Sequence, residues 1–467
     1  MENGRSFDLP AGPRWQRILE RVPLPRGGRV YAVGGWSRDR LLATMEGGPL
    51  SREQKELDLV ADRDFFPWTE SVFRALAPWI VGSPHVERDF LTARVEILEA
   101  GEILRLDLAG FRRETYPHPG SLPRVLPGSF EDDALRRDFP MNALYLEWSP
   151  QSRTFCRLLD PFGGERDLSH RQISLIRPEA FREDPTRIFR WARLAGRLRL
   201  SSSPSLRKSL NDALHDPCLW REVGGARVFA EMDRLHREPD PLASTRFLFA
   251  SGLFSSLTRN AISRLSPGRL GRLERWIAVR DCLASIGHED RAWGGASREM
   301  FFLALLSGLR RPAFDRASES LGAGSRLVRG LSETFYRPSG WPGGRGYEGW
   351  RRCAGGDKGR MLGLADRMTM GQVLYVFLRC EGEEVDFWRD YLLRGRHLPP
   401  LIGGEVLLPH PSIRPEERKT LLADIRFRQR TGEFKSRADA LRWLEERAAL
   451  LARESPNGTE SANEEFP

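Results

Sequence analysis

Long apolar runs are missing from these 467 residues. No stretch of about 18 apolar residues occurs, so no membrane-spanning helix is expected. The first residues, MENGRSFDLPAGPRW, have no apolar stretch after a basic start, and no signal peptide is expected. Cysteine is scarce and scattered. Cys156, Cys218, Cys282, Cys353 and Cys380 are odd in number and show neither paired zinc spacing nor a disulfide framework. A reducing, cytoplasmic setting is the expectation. Lysine is nearly absent: of 73 basic residues only five are lysine, so arginine carries the positive charge. No internal repeat is found.

What is present is arginine and a net charge of +9. Guanidinium forks suit phosphate groups and base edges. A GC-rich genome would give the same bias, so basicity permits a nucleic-acid partner without requiring one. The length implies two or more domains, because single cores stop growing well below it.

The pattern changes partway along the chain. Residues 1–21 read as a leader with one short helix. VYAV (30–33) is an apolar strand that runs into Gly34-Gly35 and then a helix, and ELDLVA (56–61) alternates as a strand should. LTARVEIL, ILRLDLAG and NALYLEW read as further strands. TYPHPGSLPRVLPGSFEDD reads as a loop. After Asp160-Pro161-Phe162-Gly163-Gly164 the apolar spacing turns helical, as in IFRWARLAGRL, MFFLALLSGL and ADALRWLEERAALLA. Stretches around 336–358 and 395–415 read as connectors. The expectation is an α/β head followed by a long all-α remainder, with a polar, disordered end at 454–467.

Three constellations carry chemistry. Gly34-Gly35-Trp36-Ser37-Arg38-Asp39 follows a strand and opens a helix, so backbone amides there can approach phosphates; a tight turn explains it equally well. Glu56 and Asp58 lie two apart on a strand and share a face. Two carboxylates on one face can hold Mg²⁺, although a solvated strand face is the simpler account. Asp107, an acid among apolar strand neighbours, needs a partner or a metal and is a third candidate ligand. Asp184 and Arg187, in Glu183-Asp184-Pro185-Thr186-Arg187, lie three apart at a helix start. They can present acceptor and donor groups to a base edge, or simply cap the helix with an ion pair.

In order, these pieces resemble the class II tRNA nucleotidyltransferase and bacterial poly(A) polymerase family. Gly34, Gly35, Arg38 and Asp39 followed by Glu56 and Asp58 resemble its Gly-Gly-x-x-Arg-Asp turn and Asp-x-Asp strand. Arg112-Arg113-Glu114-Thr115-Tyr116 and Pro119-Gly120-Ser121-Leu122-Pro123 resemble the next run. Arg136-Arg137-Asp138-Phe139-Pro140-Met141-Asn142-Ala143 and the Asp160-to-Leu168 segment follow. Glu183-Asp184-x-x-Arg187 resembles the neck motif that reads the incoming nucleotide, and Val223-Gly224-Gly225-Ala226-Arg227 with Glu231 the motif that supports it. Leu401–Leu407 and Gly432–Leu444 resemble the tail of the tRNA enzymes.

The resemblance implies an α+β head of the polymerase β-like nucleotidyltransferase type, with a small mixed sheet, followed by an all-α neck, body and tail. The implied divisions are a leader at 1–21, a catalytic head at 22–168, a neck at 169–265, a body and tail at 266–453 and a disordered end at 454–467. It implies catalysis by Glu56, Asp58 and Asp107 with two Mg²⁺ ions, Glu56 and Asp58 being the metal ligands. Nucleotide binding falls to Gly34, Gly35, Arg38, Asp39, Arg136, Arg137, Asp138, Asn142, Asp184, Arg187 and Arg190, supported by Arg113, Glu114, Glu183, Arg227 and Glu231. The implied substrates are CTP, ATP and the acceptor arm of tRNA, and the implied activity is addition of CCA, or of CC or A alone. A poly(A) polymerase and an RNA-binding homologue without catalysis stay open. No HD-type phosphohydrolase signature is present. The sequence departs from the family at Glu56, where Asp is usual, at Pro140, and at His410-Pro411-Ser412-Ile413-Arg414-Pro415. Asp62 lies on the Glu56 face and is a candidate to compensate.

Overall fold

The structure is a computed structural model that describes residues 4–47, 54–285, 291–336, 361, 364–365, 368, 370–380, 383–392, 400–407, 413–430 and 433–454. The polar end at 455–467, the His410-Pro411-Ser412 departure and most of the two expected connectors lie outside them.

The chain divides into two compact units. The first comprises residues 1–265 and 312–323, the second 266–311 and 324–467. The first unit holds an eight-stranded mixed sheet. Its strands are β1 (Arg5–Leu9), β2 (Val30–Val33), β3 (Glu56–Ala61), β4 (Ile80–Glu87), β5 (Thr92–Glu99), β6 (Glu102–Gly110), β9 (Tyr145–Ser149) and β10 (Thr154–Leu159). The order is β1-β10-β9-β2-β3-β6-β5-β4. Only β3 and β6 run parallel, with Glu56 beside Arg105 and Asp58 beside Asp107. A separate hairpin pairs β7 (Arg112–Thr115) with β8 (Arg124–Pro127).

The expectation of a loop over 115–133 is therefore corrected: it contains the last residue of β7, all of β8 and the start of a helix. The N-terminal segment also does more than form a short helix, since β1 closes one edge of the sheet. Both are short strands with little alternation, which a two-residue period cannot reveal.

β2 is buried along its whole length and lies inside the sheet. β3 buries Leu57, Leu59 and Ala61 on the face opposite Glu56 and Asp58, and Val60 on the acids' own face. Helices α1 (Pro13–Leu19), α2 (Gly35–Met45) and α3 (Phe65–Leu76) accompany the first strands, and α4 (Phe130–Leu135) and α5 (Gly164–Ser169) the later ones. α4 starts at a capping box in which Ser129 accepts from the Asp132 amide and Asp132 accepts from the Ser129 amide. An aromatic cluster forms the floor beneath it. Tyr31 stacks on Phe111 at 5.8 Å, and Tyr145 meets Phe130 edge-on at 4.9 Å.

The first unit continues as α6 (Ala180–Glu183), α7 (Thr186–Leu198), α8 (Pro204–Leu214), α9 (Gly225–His236), α10 (Pro241–Ala250) and α11 (Leu253–Leu257). α7 buries Ile188, Phe189, Trp191, Ala192 and Ala195 on one face. At Gly196 a Cβ would lie 2.7 Å from the Ser244 amide, so α10 can approach α7 only because that position is glycine.

The second unit contains α12 (Pro267–Ser285) and α13 (Arg291–Leu306). It also holds helices over Ser325–Tyr336, Met370–Arg379, Glu383–Asp390, Pro415–Arg430 and Arg437–Glu454. Between the two portions of this unit, α14 (Arg311–Ser320) contributes residues from 312 onward to the first unit. Ile402 and Leu407 share one core with Phe434, Ala440 and Leu444, which joins the two tail segments singled out in the sequence. Among the described residues no helix is long and apolar enough to cross a membrane.

Candidate active site

The strand β2 ends at Gly34, whose φ of 76° favours glycine. A Cβ there would come within 2.9 Å of the Asp58 carboxylate. The bare backbone thus leaves room between the start of α2 and the acid on β3. One turn on, Arg38 is buried and donates to Asp39 at 2.6 Å and to the Asn142 Oδ1 at 2.7 Å. Asp39 also accepts from Gln54 at 2.6 Å. Arg38 therefore ties the glycine turn to the Arg136–Ala143 segment.

The three acids behave differently. Asp58 is half-buried, and its pKa is pushed up to about 6, first by burial and then by the charge of Asp107. Asp107 is held by Arg94 at 2.6 Å and Arg105 at 3.3 Å. Glu56 is exposed and ion-paired with Arg105. Asp62 accepts from the Arg29 amide at 2.9 Å, and in the β2–β3 register it lies beyond the Val30 end while Asp58 faces Val33. It is thus placed at the opposite end of the strand from Glu56, where it cannot compensate for it.

Among the described residues no group of three or more His, Cys, Asp or Glu side chains is gathered as a ready metal site. The oxygen donors nevertheless fit Mg²⁺, which is held by one or two carboxylates plus substrate phosphates. Asp58 and Asp107 are register neighbours, and the charge of Asp107, which adds to burial in raising the proton affinity of Asp58, is one that a cation would neutralise.

Beside this face stands a lattice of arginines and acids. Asp133 is fully buried. Burial alone would raise its pKa, but Arg136 and Arg137, with the Tyr145 hydroxyl, hold it far below the usual carboxylate range. Arg136 reaches it at 2.7 Å, Arg137 at 3.0 Å, and Tyr145 donates at 2.6 Å. Glu114 follows the same logic: burial is outweighed by Arg136 and Arg112. Asp138 accepts from the Phe139 amide, from Asn142 at 3.0 Å and from Arg190 at 2.7 Å. Again the pairing with Arg190 overcomes burial and lowers its pKa.

The neck residues take up specific positions. Asp184 precedes α7 and accepts from the Thr186 amide at 3.0 Å and hydroxyl at 2.6 Å. Its ion pair is with Arg227, at 2.7 Å, which also donates to the Gly120 carbonyl at 2.6 Å. Arg187 is buried and donates to the carbonyls of Ala180 and Arg136, to Glu183 and to the Tyr116 hydroxyl. Glu183 itself is paired with Arg177. The pair expected to lie side by side is thus engaged with different partners. Glu231 is buried between Arg193, at 2.9 Å, and Arg234.

A cavity of about 660 Å³ brings these pieces together. Gly34, Gly35, Arg38, Glu56, Asp58, Arg136, Arg137, Asp138, Asn142, Asp184, Arg187, Arg190, Arg227 and Glu231 all line it, with Glu114 on the wall. Asp107 lines a second cavity of about 340 Å³, with Arg94 and His85, and Asp58 borders both. Asp39, Arg113 and Glu183 line neither of the two. Four charged lining residues were not singled out from the sequence: Arg193, Arg197, Arg234 and Glu238. A signal for two of them exists, because Arg187, Arg190, Arg193 and Arg197 recur every three or four residues on α7.

Residues 30–174 match the family model described as the poly A polymerase head domain. The A-adding tRNA nucleotidyltransferase of Aquifex aeolicus is 35% identical over 210 residues, 45% of this chain and 23% of that protein. The CC-adding tRNA nucleotidyltransferase of Deinococcus radiodurans is 40% identical over 243 residues, 51% of this chain and 58% of that protein. The chain therefore spans less than two thirds of the length of either relative. The solved structure of the Thermotoga maritima CCA-adding enzyme complexed with tRNA shares the fold. Its TM-score is 0.61 at 19% identity, over 94% of this chain and 99% of that one. Residues 30–174 thus match a poly A polymerase head domain, and the chain shares its fold with a CCA-adding enzyme.

Proposed function

We propose that this protein is a template-independent nucleotidyltransferase that adds C and A residues to the 3′ end of tRNA from CTP and ATP. The carrying observation is convergence. Residues from six sequence segments spread over Gly34 to Glu238 line one cavity. The A-adding and CC-adding relatives and the tRNA-bound neighbour support RNA as the acceptor.

In the reaction the RNA 3′ oxygen bonds to the α-phosphorus, the α–β phosphoanhydride breaks, pyrophosphate leaves and the hydroxyl proton passes to solvent. Asp58 and Asp107 would hold two Mg²⁺ ions, joined by Glu56 when Arg105 releases it. Bound Mg²⁺ supplies a lowered pKa at the 3′ hydroxyl and charge neutralisation at the leaving pyrophosphate. The chain's own residues do the positioning. The open backbone at Gly34 and Gly35 admits the triphosphate, and Arg38 fixes that turn against Asn142. Asp184 and Arg187, held by Arg227 and Tyr116, face the base. The Arg136–Asp138 lattice keeps the wall rigid and offers fixed charge to the phosphates.

The test offers transcripts ending before CCA, after one C and after CC, with CTP and ATP singly and together. Addition of C, C and A in order makes it a full CCA-adding enzyme. Addition of CC only, or of A to the CC end only, assigns a split activity. Long A tails on unstructured RNA would identify a poly(A) polymerase. Binding of tRNA without any addition would contradict the proposal.

A further inference from the structure

A second basic cavity lies in the first unit, outside the candidate active site. The turn after α8 supplies Trp220 and Arg221, the segment after α11 supplies Arg259, and α14 supplies Arg316 and Glu319; together they enclose about 480 Å³. The walls are fixed. Trp220 donates from its indole nitrogen to Ser256 at 3.0 Å, and Ser256 donates to the Leu214 carbonyl at 3.1 Å. Arg259 is held at a positive φ of 48°.

The arginines are what set the cavity apart. Arg221, Arg259 and Arg316 are exposed, and among the described residues none of their guanidinium groups has an ion pair or hydrogen bond. Arg187 and Arg193 near the candidate active site are, by contrast, engaged with protein acceptors. Three like charges around one hollow, opposed by a single Glu319, repel one another and do nothing for the fold. They suit an anion, and the half-buried Trp220 gives the hollow an aromatic wall for a sugar or base.

We propose that this cavity seats a backbone phosphate of the RNA acceptor, an inference that rests on the transfer to RNA proposed above. The connection to the nucleotide cavity is short in sequence. Trp220 and Arg221 are followed by Val223 and by α9, whose Arg227 holds Asp184 and the Gly120 carbonyl. A phosphate docked here therefore steadies the segment that positions Asp184, and sets the register of the RNA relative to the nucleotide.

The experiment uses the full chain carrying Arg221→Ala, Arg259→Ala and Arg316→Ala together. Binding of a tRNA transcript lacking CCA is followed by fluorescence anisotropy from low to high KCl. Affinity near physiological salt should fall by about tenfold or more, and the salt slope should shrink by about 1, as loss of one phosphate contact requires. The KM for tRNA should rise while the KM for the nucleotide holds. Glu319→Lys, which leaves the arginines in place, should tighten RNA binding several-fold, and it keeps the proposal testable if the triple variant fails to fold. Unchanged RNA affinity and slope in either variant would overturn the inference. So would a change confined to inhibition by added pyrophosphate, which would make the cavity a site for the free anion. Wild-type protein that neither binds nor extends tRNA would overturn the functional reading itself. Wild-type extension with unaffected variants would overturn only this cavity.

Discussion

Two aspartates in the same unit are driven in opposite directions. At Asp58 burial, and then the like charge of Asp107, push the pKa up to about 6. Asp133 is buried more deeply, yet two arginines and a tyrosine hydroxyl hold its pKa far down. Burial penalises both charges, so it is the partners that decide. Asp133 is a neutralised structural unit. Asp58 is left short of positive charge, beside an open glycine turn. That is the condition expected of a group awaiting a cation supplied with the substrate. The difference separates the wall of the site from its working face.

The sharpest way to break the contrast is Asp58→Asn. Transfer should fall by about 1,000-fold or more, equivalent to about 4 kcal/mol of barrier, while tRNA binding persists. Primer extension and anisotropy on one preparation would show it, and turnover near the wild-type rate would remove Asp58 from the chemistry. Next in size is Asp133→Ala, which strands Arg137 without a carboxylate in a buried setting and leaves Arg136 with Glu114 alone. Breaking a buried pair in this way costs about 3–5 kcal/mol, seen as a large drop in denaturation midpoint. A stability change below about 1 kcal/mol would mean the lattice is not what holds the wall.

The pH dependence follows from the same aspartate. The folded-state pKa of Asp133 lies below its unfolded value, so its contribution is complete above about pH 4 and is lost as pH falls below that. Urea midpoints measured from pH 7 to pH 2 should fall steeply at the acid end in the wild type and less steeply in Asp133→Ala. Equal slopes would assign acid lability to other groups. The smallest effect belongs to Glu56→Ala. Glu56 is exposed and paired with Arg105, so its loss should cost about tenfold in kcat/KM, near 1.4 kcal/mol. A loss matching that of Asp58→Asn would make the two acids equal ligands.

Much of this contrast can be read from the sequence, and some of it cannot. The strands over 30–33, 56–61 and 103–110 are legible because they alternate or are wholly apolar. β4 is not, because Gly82 and Pro84 interrupt an exposed edge strand. The Gly34, Asp58, Asp184 and Arg187 motifs are legible by their order. The hold of Arg105 on Glu56 depends on the parallel pairing of β3 with β6, a contact across 49 residues that no local pattern encodes. The same is true of Arg227, which takes Asp184 from 43 residues away. Long-range partners decide which acids are saturated, and they become visible only when the chain is folded.

The most direct test of the contrast is a thermal melt titrated with Mg²⁺ in the presence of CTP or ATP, on wild type and Asp58→Asn side by side. Ligand binding to the folded state raises the melting temperature by mass action. Mg²⁺ should raise it in the wild type and leave it nearly unchanged in Asp58→Asn. An equal rise in both would contradict Asp58 as the group that awaits the cation.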